Sequence, residues 1–199
     1  MDLPAPVAAL LGAGLVGIGG LSFVEKLVPA IPSYVLYVFL GMTAVADGTA
    51  LGLTILASGL GSALATMCWY GVGRALGPQR TEAAVARFGR FVHLDVARYR
   101  WLGAAYLRRP FLVSLIGQIT PVVRLYAPLP AGMLGLKPLT FFAAALAGSA
   151  AWNGLLLGFG YALRHSARDP VRVGMAVVAG LLVLELGALL VLQLRRRAR

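Results

Sequence analysis

Redox and metal-binding side chains are scarce in this chain. Its 199 residues include one cysteine, Cys68, and two histidines, His93 and His165, too few for a disulfide framework or a zinc cluster. No metal and no cofactor are expected. Acidic residues are few as well: seven Asp and Glu stand against eighteen Lys and Arg, a net charge of +11, and charged residues make up only 13% of the chain. Soluble domains carry about 25%. With 59% hydrophobic residues and a mean hydropathy of +0.83, the ordinary cytosolic folds are excluded. The chain reads as an all-α polytopic membrane protein, one membrane domain over residues 1–199. Its positive excess then belongs to cytoplasmic loops facing anionic lipid, and no nucleic-acid partner is expected. The apolar start lacks the basic region and small-residue cleavage site of a signal peptide, so residues 5–24 read as a retained membrane helix.

A helix needs roughly 20 apolar residues to cross a hydrocarbon core about 30 Å thick. Stretches 50–73, 138–163 and 171–194 are long enough, and 5–24 is slightly short. Two further apolar stretches are interrupted by proline: 27–45 by Pro29 and Pro32, and 111–135 by Pro121, Pro128 and Pro130. Each proline removes a backbone donor and crowds the preceding turn. Irregular backbone inside a membrane is tolerated only where protein covers it or where it lines a cavity, so the two stretches suggest re-entrant hairpins around a shared site. A pair of proline-kinked spanning helices is the alternative. An internal repeat favours the hairpins. Gly61-Ser62-Ala63 recurs 87 residues later as Gly148-Ser149-Ala150, and at the same offset Gly71, Gly73, Ala75 and Leu76 meet Gly158, Gly160, Ala162 and Leu163. The unit is a proline-broken loop followed by a spanning helix, used twice.

Arginines set the orientation. Arg74, Arg80, Arg87, Arg90, Arg98, Arg100, Arg108 and Arg109 lie between the units, and Arg195, Arg196, Arg197 and Arg199 form the tail; both segments belong in the cytoplasm. With both termini cytoplasmic, 50–73 runs inward and 138–163 runs outward, which makes the units an inverted repeat whose hairpins enter from opposite faces. Residues 81–109 read as a cytoplasmic amphipathic segment, with a soluble hairpin equally open.

Between Arg109 and Arg164 the charged residues are Arg124 and Lys137. An arginine at the bilayer centre costs about 2.5–3.5 kcal/mol on insertion scales, so Arg124 is a candidate site residue, with a structural salt bridge as its alternative. Glu25 takes the matching place in the first half, where a carboxylate can pair with a desolvated arginine or exchange protons. An interfacial anchor pair, Glu25 with Lys26, is the plainer reading. Asp47 before Gly48 reads as a turn.

Taken together, Glu25-x-x-x-Pro29-x-x-Pro32-Ser33, Trp69-Tyr70-x-x-Gly73-Arg74-x-x-Gly77, Gly117-x-x-x-Pro121-x-x-Arg124, Pro130-Ala131-Gly132-Met133, Phe141, Gly148, Trp152 and Gly160-Tyr161 resemble the DedA family of bacterial inner-membrane proteins, related to the eukaryotic VTT-domain and SNARE-associated Golgi proteins. The resemblance covers roughly residues 20–165. It implies two opposed re-entrant hairpins shaped by Pro29, Pro32, Pro121, Pro130 and Gly132, in a bacterial inner-membrane protein that moves undecaprenyl phosphate or a phospholipid head group between leaflets. Arg124, Gln118, Glu25 and Tyr34 are its expected substrate-binding residues. Relatives often have an acid where Tyr34 stands, an arginine at Gln118 and an aspartate at Thr66. Tyr34 and Gln118 are therefore expected to face each other in place of a charged pair, and proton coupling is open. The expected partners are membrane lipids, a lipid phosphate first among them, with protons and a second copy of the chain as further possibilities. A proton-coupled exporter of a small solute and a structural membrane organiser are the competing functions. A lipid-phosphate enzyme is disfavoured for want of a His, Cys or paired-carboxylate constellation.

The topology has a direct test. In a Cys68→Ala background, Arg90→Cys should label with a membrane-impermeant maleimide only after the cells are opened, whereas Arg168→Cys should label in intact cells. Labelling of residue 90 from outside would overturn the inverted arrangement.

Overall fold

A computed structural model of the chain describes residues 13–28, 33–88, 103–120, 123–164 and 179–180, with side chains as far as Gly77 in the second stretch and without those of residues 125 and 126. Among the described residues every regular element is helical: α1 Gly14–Leu27, α2 Ser33–Thr43, α3 Gly48–Phe88, α4 Pro110–Ile119, α5 Val123–Tyr126, α6 Pro128–Met133 and α7 Pro138–Leu163, with a short turn of helix at 103–108. The all-α expectation holds. Within α3, Gly48–Gly77 is long and apolar enough to cross a membrane, as is α7. At Gly77 the backbone leaves the helical region (φ 72°, ψ 166°), a conformation suited to glycine. Residues 1–12, 89–102 and almost all of 171–194 lie outside the described residues, and so do Pro29, Pro32, Pro121 and Glu185.

Prolines open three of the helices. Pro110, Pro128 and Pro138 stand at the first turns of α4, α6 and α7, where the missing N–H would have no intrahelical partner in any case. Asp47 accepts a hydrogen bond from the Ala50 N–H at 2.8 Å, an N-terminal cap that starts α3. Among the described residues, the 27–45 stretch thus contains the short helix α2, and the 111–135 stretch contains α4, α5 and α6.

Polarity in α3 is inside out. Thr54, Ser58, Ser62 and Thr66, spaced four apart on one face, are all buried, whereas Leu53, Leu56, Leu60 and Leu64 are exposed. A soluble helix does the reverse. Hydroxyls bury without strain because they turn back onto their own helix: Thr66 donates to the Ser62 carbonyl at 2.8 Å and Ser58 to that of Ile55 at 3.2 Å. Asn153 of α7 adds a bond between helices, its Nδ2 donating to Ser62 Oγ at 3.2 Å. Apolar outer faces with polar, close-packed inner faces suit a hydrocarbon solvent.

The described residues pack as two units. One comprises α1, α3 from Gly52, α4, α5, α6 and α7 up to Gly154; the other comprises α2, the turn after it and α7 from Leu155. The same contact is built in each. In the first, a Cβ on Gly73 would fall onto the Leu129 carbonyl of α6, and one on Gly132 onto the Tyr70 carbonyl of α3. In the second, a Cβ on Gly160 would fall onto the Val38 carbonyl of α2, and one on Gly41 onto the Leu157 carbonyl of α7. Only glycine lets backbone meet backbone at that distance. Gly132 acts here through its missing side chain, and the turn that follows is made by Gly135 (φ 66°). The turns after the two short-helix segments are also held alike. Tyr70 Oη donates to the Leu136 carbonyl, while Arg164 Nη1 donates to the Val45 and Ala46 carbonyls at 2.6 and 2.7 Å. Tyr70 also stacks on Phe141, ring centroids 5.1 Å apart.

Neighbouring glycines provide the control. Gly73→Ala and Gly160→Ala should each destabilise the protein by roughly 1–3 kcal/mol through overpacking. Gly71→Ala and Gly158→Ala, where an added Cβ meets nothing within 4 Å, should stabilise it by about 0.5–1 kcal/mol through helix propensity. Thermal unfolding in detergent reads the difference, and equal shifts for both pairs would refute the close-contact account.

Candidate functional site

Four helices bring a charged and polar cluster together within the first unit. The last turn of α1 carries Glu25 and Lys26, α4 ends with Gln118, α5 carries Arg124, and the middle of α7 carries Ser149 and Trp152. Glu25 and Lys26 are 6% exposed, Arg124 7%, Ser149 4% and Gln118 1%. So much buried charge is costly unless it is paired and hydrogen-bonded. Arg124 Nη2 lies 3.9 Å from Glu25 Oε1, and the Arg124 guanidinium stacks over the Trp152 ring, 4.9 Å from its centroid, a favourable cation–π geometry. Lys26 Nζ donates to Gln118 Oε1 at 3.4 Å and stands in the electrostatic field of both Arg124 and Glu25.

Gly148 makes the crossing of α4 and α7 tight. A Cβ there would lie 2.5 Å from Gln118 Cβ, so any other residue would push Gln118 away from Lys26. Three buried polar atoms of this region, Gln118 Nε2, Ser149 Oγ and Trp152 Nε1, have no hydrogen-bond partner. Buried polar atoms are rarely left so. Two of the three groups, the amide N–H and the indole N–H, can only donate, and the hydroxyl can donate as well. The cluster therefore presents two cations and three spare donors to one carboxylate, a composition complementary to an anion with several acceptor oxygens.

The structure brings together three of the four residues expected from the sequence, Glu25, Gln118 and Arg124. Tyr34, half-buried at the start of α2, belongs to the other unit, and the partner that Gln118 shows is Lys26. The anchor reading of Lys26 is corrected: an anchor extends its charge to the membrane surface, whereas this ammonium is buried against α4. Ser149 and Trp152 are the other residues that the sequence reading left out of the site. A signal for Lys26 was present, since it and Lys137 are the chain's two lysines beside sixteen arginines. Thr66 is fully buried and bonded within α3.

Comparison with known proteins fits this description. Residues 31–162 match the family model described as the VTT domain. The chain belongs to the DedA family of VTT-domain proteins. Over 152 residues it is 30% identical to the alkaline phosphatase-like protein of Lactococcus lactis subsp. cremoris (strain MG1363), covering 75% of this chain and 71% of that protein. The protein of the same name from Lactococcus lactis subsp. lactis (strain IL1403) matches to the same extent. It is also 22% identical over 138 residues to undecaprenyl phosphate transporter A of Staphylococcus aureus (strain NCTC 8325 / PS 47), covering 69% of this chain and 68% of that one. No solved structure matches significantly. The DedA match contains Gln118, Arg124, Ser149 and Trp152, whereas Glu25 and Lys26 precede it.

Spare donors and bonded ones should respond differently to removal. Ser149→Ala deletes a hydroxyl without a hydrogen-bond partner and should leave the melting temperature unchanged or raised. Asn153→Ala breaks the bond to Ser62 and should cost about 1–3 kcal/mol. Thermal unfolding of the detergent-solubilised variants checks this, and a loss at Ser149 as large as at Asn153 would mean that its hydroxyl is satisfied within the fold.

Proposed function

We propose that this protein moves a lipid phosphate, undecaprenyl phosphate or a phospholipid head group, between the leaflets of the bacterial inner membrane. The observation that carries the reading is the buried cluster of Arg124 and Lys26 with the three unpartnered donors around it. Arg124 holds the phosphate: its planar fork engages two oxygens at once, and Trp152 keeps the guanidinium plane in position. Gln118 donates its free amide N–H to a third oxygen. Glu25 balances the cations when the site is empty and competes with the phosphate for Arg124, so that release on the far side stays possible.

In this reading the 27–45 and 111–135 segments are re-entrant hairpins of an inverted repeat, shaped by Pro29, Pro32, Pro121, Pro130 and Gly132, with both termini cytoplasmic. The duplicated glycine contacts support a repeat of this kind, because equivalent helices receive equivalent short segments. Alternating exposure of one central site to the two leaflets is what such repeats accomplish in transporters. The lipid tail stays in the hydrocarbon, and the protein supplies polar partners only for the head group. The name of the Staphylococcus relative, a transporter of undecaprenyl phosphate, agrees with this substrate chemistry.

Reconstitution in liposomes tests the proposal. Transbilayer movement of a polyprenyl phosphate and of a fluorescent phospholipid is followed with and without a pH gradient, together with release of inorganic phosphate. Movement without phosphate release is expected. Arg124→Ala should abolish movement, and Arg124→Lys should retain roughly a tenth, since an ammonium acts as a point charge. Glu25→Gln should bind the phosphate more tightly and move it more slowly. A folded Arg124→Ala protein with normal transport would refute the proposal, and phosphate release by the wild type would replace it with a hydrolytic one.

A further inference from the structure

Lys26 is an ammonium with three donors, and among the described residues its hydrogen bond is the one to Gln118 Oε1 at 3.4 Å, long for this kind of bond. It is 6% exposed, so water does not take up the remaining donors as it would at a surface. Its acceptor is held by close packing, because Gly148 clamps the Gln118 stem against α7. The amide nitrogen of the same Gln118 is buried without a partner. An ammonium weakly held on a rigid acceptor, beside a free N–H on the same side chain, is arranged to change partners. Lysine suits such a movement, since its charge rides on four rotatable methylenes, whereas a guanidinium is fixed by its planar fork.

We propose that Lys26 is the second cationic ligand of the transported head group: it rests on Gln118 Oε1 when the site is empty and transfers to a phosphate oxygen when the site is filled. The assignment rests on the lipid-phosphate function proposed above and adds to it the residue that completes the charge. Gln118 serves as the resting place of the cation and, through its Nε2, as a neutral donor to the same phosphate. The second positive charge of the site comes from α1, outside the segment matched to the VTT domain.

Isothermal titration of the full-length protein in detergent with farnesyl phosphate, with farnesol as the uncharged control, tests the assignment. Wild type should prefer the phosphate by tenfold or more. Lys26→Met, which keeps the length of the side chain, should lose about tenfold or more in affinity for farnesyl phosphate and nothing for farnesol, and Lys26→Arg should stay within about threefold of wild type. If Lys26→Met does not fold, Lys26→Gln takes its place in the comparison with Lys26→Arg. Wild-type affinity in the neutral variant, alongside a loss in Arg124→Ala, would overturn the role of Lys26 and leave the lipid-phosphate reading standing. Equal losses in Lys26→Arg and the neutral variant would make Lys26 a packing residue and overturn the assignment. No preference of the wild type for farnesyl phosphate over farnesol would overturn both proposals.

Discussion

Two cations and a carboxylate are buried together in an almost wholly apolar chain, and the arrangement around them follows from the cost of that burial. Removing a single ion from water costs several kcal/mol even after the protein relaxes. Glu25 offsets part of that cost for both Arg124 and Lys26, which repel each other, and Trp152 lends the face of its ring to the guanidinium. Each of these groups comes from a helix end or from a helix that passes close by, so α1, α4, α5 and α7 must converge within a few ångströms. Convergence at that distance needs small residues. Gly148 is one, and without it α4 could not present Gln118 to Lys26.

The same economy of side chains appears in the duplicated contacts. Gly73 with Gly132 in one unit, and Gly160 with Gly41 in the other, bring a spanning helix against the backbone of a short helix that belongs to the opposite half of the sequence. The helix positions repeat at 87 residues, but Val38 and Leu129, Gly41 and Gly132, and Val45 and Leu136 are each 91 residues apart. A search at one offset therefore finds the helices and misses their partners: the turns 44–47 and 134–137 are equally long, but the first part of α3, Gly48 to Gly61, is longer than that of α7, Pro138 to Gly148. The hydroxyl face of α3 and its bond to Asn153 give the frame polar cohesion that hydrocarbon cannot disturb.

Composition and spacing alone determined the solvent, the class of fold and one of the buried charges. Thirteen per cent charge in a 199-residue chain leaves no other environment than a membrane for its apolar surfaces, and the proline-broken stretches marked where long helices stop. Arg124 was legible because an isolated arginine in an apolar run is expensive wherever it lies, and Glu25 because it was the acid nearest to hand in the other half. Boundaries were legible only loosely: α3 begins at Gly48 and keeps its apolar course to Gly77, since the flanking small residues are compatible with helix and nothing in them forces a stop.

Tertiary structure decided what each polar group meets. Lys26 beside Glu25 in sequence resembles an anchor pair, and neighbours in a helix point about a quarter-turn apart; only the approach of α4 shows that the ammonium turns inward to Gln118. Ser149 lies in a repeat of small residues and Trp152 in a family motif, and neither position states that its polar atom will be buried without a partner. Those are facts about which surfaces come to face one another. Local sequence sets the period and the breaks of each helix, but the assembly of a site from α1, α4, α5 and α7 depends on long-range packing, in which a missing Cβ at Gly148 matters as much as any charge.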